Sequence, residues 1–291
     1  RYAESSGKES NVIYPHSWRY RDYVIDAFNQ DKPFNTFIRE QLAGDLLPAS
    51  GNADRAENLV ATGFLAVGVK GHNTRGKAQF IADLVDEQID AVTQGFLGTT
   101  VSCARCHDHK FDPIPQRDYY AMAGIFVSTD TRFGTYSHQG NNHFSNLIVL
   151  PEDSGQSAGT PLPSQVRSII QNAYRLAQGR ADEAEELREQ IQQARRSGNG
   201  VSSDVQRAFQ RARNAQGTVT TTNSILERFD ESGKPTEANM VCVGTLEGNI
   251  TNAPILERGE ITRAGEDIPR GFVQVISGDW TPYVRSGSGR M

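Results

Sequence analysis

The chain has 291 residues, 37% of them hydrophobic and 22% charged, which leaves room for two globular domains. A net charge of −5 and a pI near 5.7 argue against the basic footprint of a nucleic-acid binder, so no nucleic-acid partner is expected. No apolar run reaches the roughly eighteen residues of a spanning helix, so this stretch holds no transmembrane segment.

The chain opens on Arg1 with no initiator Met and stops after "SGSGRM", so it reads as an internal piece of a larger multidomain protein. No signal peptide is visible at that start, and the compartment has to be read from chemistry instead.

The first 130 residues read as helical. In "SWRYRDYVIDAFNQDKPFNTFIREQLAGDLLP", Ser17 is positioned as an N-cap, and Tyr20, Val24, Ile25 and Phe28 follow at helical spacing. Pro33 fits the first turn of a second helix with Phe37, Ile38 and Leu42 on one face, and Pro48 ends it. "ADRAENLVATGFLAVG" predicts a third helix closed by Gly68. After the polar loop "KGHNTRGKAQ", "FIADLVDEQIDAVTQGFLG" predicts a long fourth helix with a stripe of Ile81, Leu84, Val85, Ile89, Val92 and Phe96. "QRDYYAMAGIFVS" predicts a fifth. From Thr129 to Leu150 the sequence loosens into a Gly/Asn-rich loop, and residues 151–163 hold three prolines and read as a linker. Residues 164–215 are rich in Ala, Gln, Glu and Arg, which predicts a solvated helix pair broken near Gly179 or Gly198. "ANMVCVGTLEG" and "GFVQVIS" read as short strands.

Between the fourth and fifth helices lies "VSCARCHDHKFDP", where Cys103, Cys106 and His107 form C-x-x-C-H, the c-type haem attachment pattern. Two thiols three residues apart on a helical turn can each form a thioether to a haem vinyl group, and the following His107 then stands beneath the iron as proximal ligand. Two other readings compete. Cys103, Cys106, His107 and His109 are all zinc donors, but four ligands within seven residues hardly close one tetrahedron, because structural zinc sites draw on two elements. The third reading is a disulfide or two free thiols beside surface histidines.

The blocks around the motif carry a family resemblance. "SWRYRDYVIDAFNQDKPFNTFIREQLAGDLLP", "ATGFL" and "VDEQIDAVTQGFLGTTVSCARCHDHKFDPIPQRDYYAMAGIF" occur in order and closely resemble DUF1549, also called planctomycete cytochrome c type 2 (PSCyt2), over residues 1 to about 130. "ILERGEITRAGEDIPRGFVQVI" and "SGSGRM", within about 252–291, resemble the opening of the DUF1553 domain that commonly follows it. Residues 151–222 resemble no family. The resemblance implies a planctomycete protein of the periplasm, the cell envelope or the secreted fraction. It also implies one covalent haem c, with Cys103 and Cys106 as attachment residues and His107 as axial iron ligand. It implies no reaction, since the activity of that family is not established.

The resulting expectation is a mainly α fold. It comprises a DUF1549-like helical haem c domain at 1–150, a linker and helical insertion at 151–222, and a β-containing segment at 223–291 that starts a DUF1553-like domain. The sixth iron position separates electron transfer from catalysis. His72, in a loop with Gly71 and Gly76, ranks first for it and Met122 second, with His138 and His143 behind; the bland reading of Met122 is core packing. His109 is too close to His107 to reach the opposite haem face and is expected on a propionate or a carboxylate. Arg105, Lys110 and Arg117 surround the motif, and Arg105 is the expected propionate partner, against a reading as plain surface charge. Asp83, Asp86, Glu87 and Asp90 share one face of the fourth helix. That face is either simply solvated, or Asp86 or Asp90 reaches the Cys/His segment. Trp18, Tyr20, Tyr119 and Tyr120 read as core or as haem-pocket lining.

The leading function is an extracytoplasmic c-type cytochrome that passes one electron to a redox partner protein. The alternatives are a haem-dependent oxidoreductase or peroxidase with an open distal site, and an envelope or carbohydrate-associated structural protein with an accessory haem or zinc.

Overall fold

The computed structural model describes residues 2–8, 12–135, 141–198, 200–278 and 286–291. The fold is mainly α-helical with three two-stranded antiparallel sheets among the described residues. None of the described helices is long and apolar enough to cross a membrane. The chain divides into two compact units, one formed by 1–135, 143–155 and 241–291, the other built around 156–240.

The first unit begins with α1 (Trp18–Asn29) and α2 (Phe34–Ala43), with Pro33 immediately before α2. Ser17 does not cap α1. Its backbone is already helical and its hydroxyl donates to the Tyr14 carbonyl at 2.9 Å. The buried face of α1 is Tyr20, Tyr23 and Ala27, whereas Ile25 and Phe28 are exposed, a shift of the expected stripe by part of a turn. The stripe follows the aromatic rings: Tyr23 stacks on Phe37 of α2, and the Tyr20 hydroxyl donates to Gln41 at 2.6 Å.

The expected third helix is two, α3 (Asn52–Ala61) and α4 (Gly63–Ala66). Thr62 separates them. Its hydroxyl donates to the Leu59 carbonyl at 2.7 Å and accepts the Thr245 N–H at 2.8 Å, a side-chain alternative to the helical ladder. Then follow α5 (Lys77–Val92) and α6 (Gln116–Val127). Val85, Ile89 and Val92 of α5 and Tyr119, Met122 and Phe126 of α6 enter one core with Leu59, Leu65, Cys242 and Ile268.

The expected loop at 129–150 contains β1 (Thr129–Arg132) and β2 (Ile148–Val149). Their partners lie far along the chain. β2 pairs with β3 (Val241–Cys242) and β1 with β4 (Gly244–Glu247), while β5 (Ala253–Leu256) and β6 (Ala264–Ile268) form a hairpin. Local pattern cannot show a strand whose register is set about a hundred residues away. "GFVQVIS" is not a strand. Gln274–Ser277 is one helical turn, started by the buried Asp118 carboxylate, which accepts the Gln274 N–H at 2.9 Å and its side-chain amide at 2.8 Å. Near the C-terminus, Arg290 grips Asp45 through two bonds of 2.7 and 2.8 Å, with both side chains almost fully buried.

The second unit is a helical hairpin of α7 (Ser164–Arg196) and α8 (Ser203–Leu226). α7 runs straight through Gly179 and ends at Ser197–Gly198, where Gly198 takes a left-handed φ of 71°. Ala177, Ala181, Ala215 and Val219 form its small core with Tyr174 against them, as two antiparallel helices with few apolar positions allow. Ser202 caps α8 by accepting the Val205 N–H at 3.3 Å.

Candidate functional site

The C-x-x-C-H stretch sits where α5 gives way to α6. Past Val92 the helix widens into π-type turns over Thr93–Leu97, and Gly98, in the left-handed region at φ 64°, turns the chain. A 3₁₀ turn over Val101–Arg105 follows. Side chains three apart eclipse on such a turn. Val101 and Ala104 accordingly point into the core, while Cys103 and, at the turn's end, Cys106 both face solvent as free thiols.

Arg105, between the two cysteines, turns the other way. Its guanidinium lies 3.3 Å from Asp83 and 3.3 Å from Asp86, two residues of the acidic face of α5. The expected reach of that face toward the motif is therefore made by Asp86, whereas Asp90 instead accepts the Gln94 amide at 2.5 Å. The Arg105 carbonyl accepts Gln116 Nε2 at 3.0 Å and the Tyr120 hydroxyl at 2.9 Å, and both donors also reach the Leu256 carbonyl. Burial pushes the Tyr120 hydroxyl up to about 12 and raises that of Tyr119 as well, so both remain protonated donors at neutral pH. The loop of the β5–β6 hairpin covers one side of Cys106. Gly259, at φ 73°, comes so near that a Cβ there would stand 2.9 Å from the thiol sulfur. Beside Arg105 opens an apolar groove of about 320 Å³, walled by Ile81, Val85, Tyr120, Ala123, Leu256 and Ile261.

His107 is exposed, and its Nδ1 lies 2.7 Å from the Asp108 carbonyl oxygen. A carbonyl only accepts, so Nδ1 carries the proton and the Nε2 lone pair is left for a metal. His109 is used differently. Its Nδ1 accepts the N–H groups of Phe111 (3.3 Å) and Asp112 (2.8 Å), and its Nε2 donates to Thr100 at 3.2 Å. The Asp112 carboxylate also stands 3.4 Å from Nδ1, but two amide donors aimed at that nitrogen favour its unprotonated form. His109 thus braces a turn.

Among the described residues, the candidates for a sixth iron ligand are engaged in other contacts. His72 is buried among Tyr14, Phe80 and Phe133. Its Nε2 meets the Tyr14 hydroxyl at 3.0 Å and its Nδ1 the His143 carbonyl at 2.7 Å. His143 stacks on Phe80 at 4.0 Å and donates Nε2 to the Thr74 carbonyl. Met122 is a core residue of α6. His138 lies outside the described residues. Lys110 covers the Phe111 ring at 4.9 Å, and Arg117 pairs with Glu266 at 2.9 Å. Among the described residues no three His, Cys, Asp or Glu side chains converge as a metal site.

The sequence did not single out Gln116, Leu256 or Gly259. Two of these act through backbone groups and the third through a long-range hydrogen bond, so composition carried no sign of them.

Residues 1–131 match the family model PSCyt2, described as a protein of unknown function (DUF1549). No curated protein matches the chain. No solved structure matches it either.

Proposed function

We propose that Cys103 and Cys106 hold a single haem c through thioether bonds, with His107 as axial ligand, and that the domain works outside the cytoplasm as a one-electron carrier for a redox partner protein. The observation that carries this reading is the pairing of two free, exposed thiols on one face of a turn with an imidazole whose Nδ1 is tied to a carbonyl. The residues fit the group. The thiols are accessible, and Nε2 is the available donor. Bound there, haem c supplies reversible one-electron exchange at iron. Exposure of the attachment turn suits a partner protein that must come close. Arg105, engaged by Asp83 and Asp86, serves chiefly to hold the turn against α5 rather than to bind a propionate. Thioether attachment is made outside the cytoplasm, so the reading places the chain in the periplasm, the envelope or the medium. Residues 252–291 we read as the start of a DUF1553-like domain, on the stretch quoted above.

A second reading has its own support. Because His72, His143 and Met122 are all engaged, an open distal position and a haem-dependent oxidoreductase or peroxidase fit the same turn. Expression with a cytochrome c maturation system, followed by extraction in acidified organic solvent, tests the shared premise. Haem that stays with the polypeptide supports it, and haem that leaves, or is never taken up, refutes it. A low-spin ferric spectrum then favours electron transfer, a high-spin one the enzyme.

A further inference from the structure

We propose that Asp108 is a positioning residue for His107, fixing which ring nitrogen is protonated and so which one faces a metal. The inference rests on the reading of His107 as an iron ligand, and it names the group that sets that ligand's orientation.

The argument starts from one peptide plane. Asp108 C=O and His109 N–H belong to the same amide, and no described peptide bond is cis, so the two groups point in opposite directions. The His109 N–H donates to the Ile114 carbonyl at 2.9 Å. The Asp108 oxygen is thereby aimed the other way, and there it meets His107 Nδ1 at 2.7 Å. Two side chains hold the plane. Asp108 Oδ1 accepts the backbone N–H of Gln116 at 2.8 Å, tying the loop to the first residue of α6. The His109 ring closes residues 109–112 through its two amide bonds and is steadied by Thr100. α6 is itself anchored in the core by Tyr119, Met122 and Phe126, so the chain of contacts ends on a fixed element. The carboxylate and the second histidine of "CHDH" are thus framework for the first histidine. A carbonyl on the outer nitrogen of a ligating imidazole fixes its tautomer and strengthens its donation to a metal.

The test needs no activity. On the full chain, ¹⁵N spectra of the histidine rings at about pH 8.5, well above the usual imidazole range, report the neutral tautomer. His107 should carry its proton on Nδ1 in the wild type and in Asp108→Asn, which keeps an oxygen acceptor. In Asp108→Ala the Nε2-protonated form should appear. Gln116→Pro, which removes the N–H together with the side-chain amide at a first-turn position that tolerates proline, should act like Asp108→Ala, with Gln116→Ala as the control for the lost side chain. In the haem-loaded chain, Asp108→Ala should raise the midpoint potential while Asp108→Asn stays near the wild type. Wild-type tautomer and potential in both Asp108→Ala and Gln116→Pro would overturn the proposal. A chain that never takes up haem but shows the tautomer change supports the positioning role and overturns the haem reading instead, so the two failures are told apart.

Discussion

Arg105 and Asp86 meet at 3.3 Å, and the same carboxylate accepts the Tyr119 hydroxyl at 2.8 Å. One side chain of α5 thus holds both the residue between the two cysteines and the helix that follows them. Asp86→Ala should cost about 2 kcal/mol. The pair is neither surface nor fully buried, with side chains 16% and 30% exposed, and Asp83 remains to hold Arg105. Most of the loss comes from the Tyr119 hydroxyl, buried and left without that acceptor. Urea unfolding should show a lower midpoint at unchanged slope. An unchanged midpoint would mean that Asp83 and solvent fully replace Asp86.

The three cysteines should separate by reactivity. Burial pushes the Cys242 thiol up to about 12 against the opposing pull of the Arg19 guanidinium, and its side chain has no access to solvent. Cys103 and Cys106 are exposed. In native, haem-free, reduced protein, iodoacetamide at about pH 8 should add two carbamidomethyl groups, both on the 101–107 segment, and a third only after denaturation. In haem-loaded protein native labelling should fall to zero, because both exposed thiols are in thioethers. Rapid native labelling of Cys242 would contradict the packing of β3.

The balance between what the residues announced and what they hid has a physical pattern. α5 and α6 were legible because apolar residues recur at helical spacing over many turns, and the C-x-x-C-H turn was legible because its three donors lie within residues 103–107. The split at Thr62 was not, since it depends on a hydroxyl bonded to Thr245, 183 residues away. The sheets at 129–132 and 148–149 were hidden for the same reason. "GFVQVIS" misled because its β-branched residues suit a strand, while the buried Asp118 imposes a turn at Gln274. At the site, the identity of the donors was readable. The reach of Asp86 from α5 to Arg105 was readable as well, from the acidic face that runs into the motif; what was not is that His72 spends both ring nitrogens inside an aromatic cluster.

The packing of His72 and Met122 sets the next expectation. His72→Ala and Met122→Ala should leave the ferric and ferrous absorption spectra of the haem-loaded chain unchanged, while each lowers stability. Met122→Ala leaves a cavity in the core and should cost about 2–5 kcal/mol. His72→Ala takes away the partner of the buried Tyr14 hydroxyl and the centre of the Tyr14–Phe80–Phe133 cluster, a loss of about 2–3 kcal/mol. A spectral change of spin state in either variant would identify that residue as the sixth ligand, and would mean that haem binding draws it out of its packed position.

The last prediction concerns pH. Asp118 is fully buried on α6, with both carboxylate oxygens on Gln274. Burial raises its carboxyl above the ordinary 3.8, while the two Gln274 bonds and the Arg117 charge pull it down, and burial wins. The folded chain therefore holds this proton more tightly than the unfolded chain. Between 3.8 and the raised folded value the native state binds more protons, so the contribution of Asp118 to stability falls as pH climbs through that window and is level above it. Asp118→Asn has no proton to lose there. It keeps one oxygen for one of the two Gln274 donors and should be weaker than the wild type by about 1 kcal/mol below the window. Through the window the difference should narrow, because only the wild type gives up stability as its carboxyl ionises. Urea unfolding of both proteins at intervals from about pH 3.5 to 7 measures the difference directly. Parallel curves would show that the buried carboxyl titrates no differently in the folded and unfolded chain, and that Gln274 fully offsets its burial.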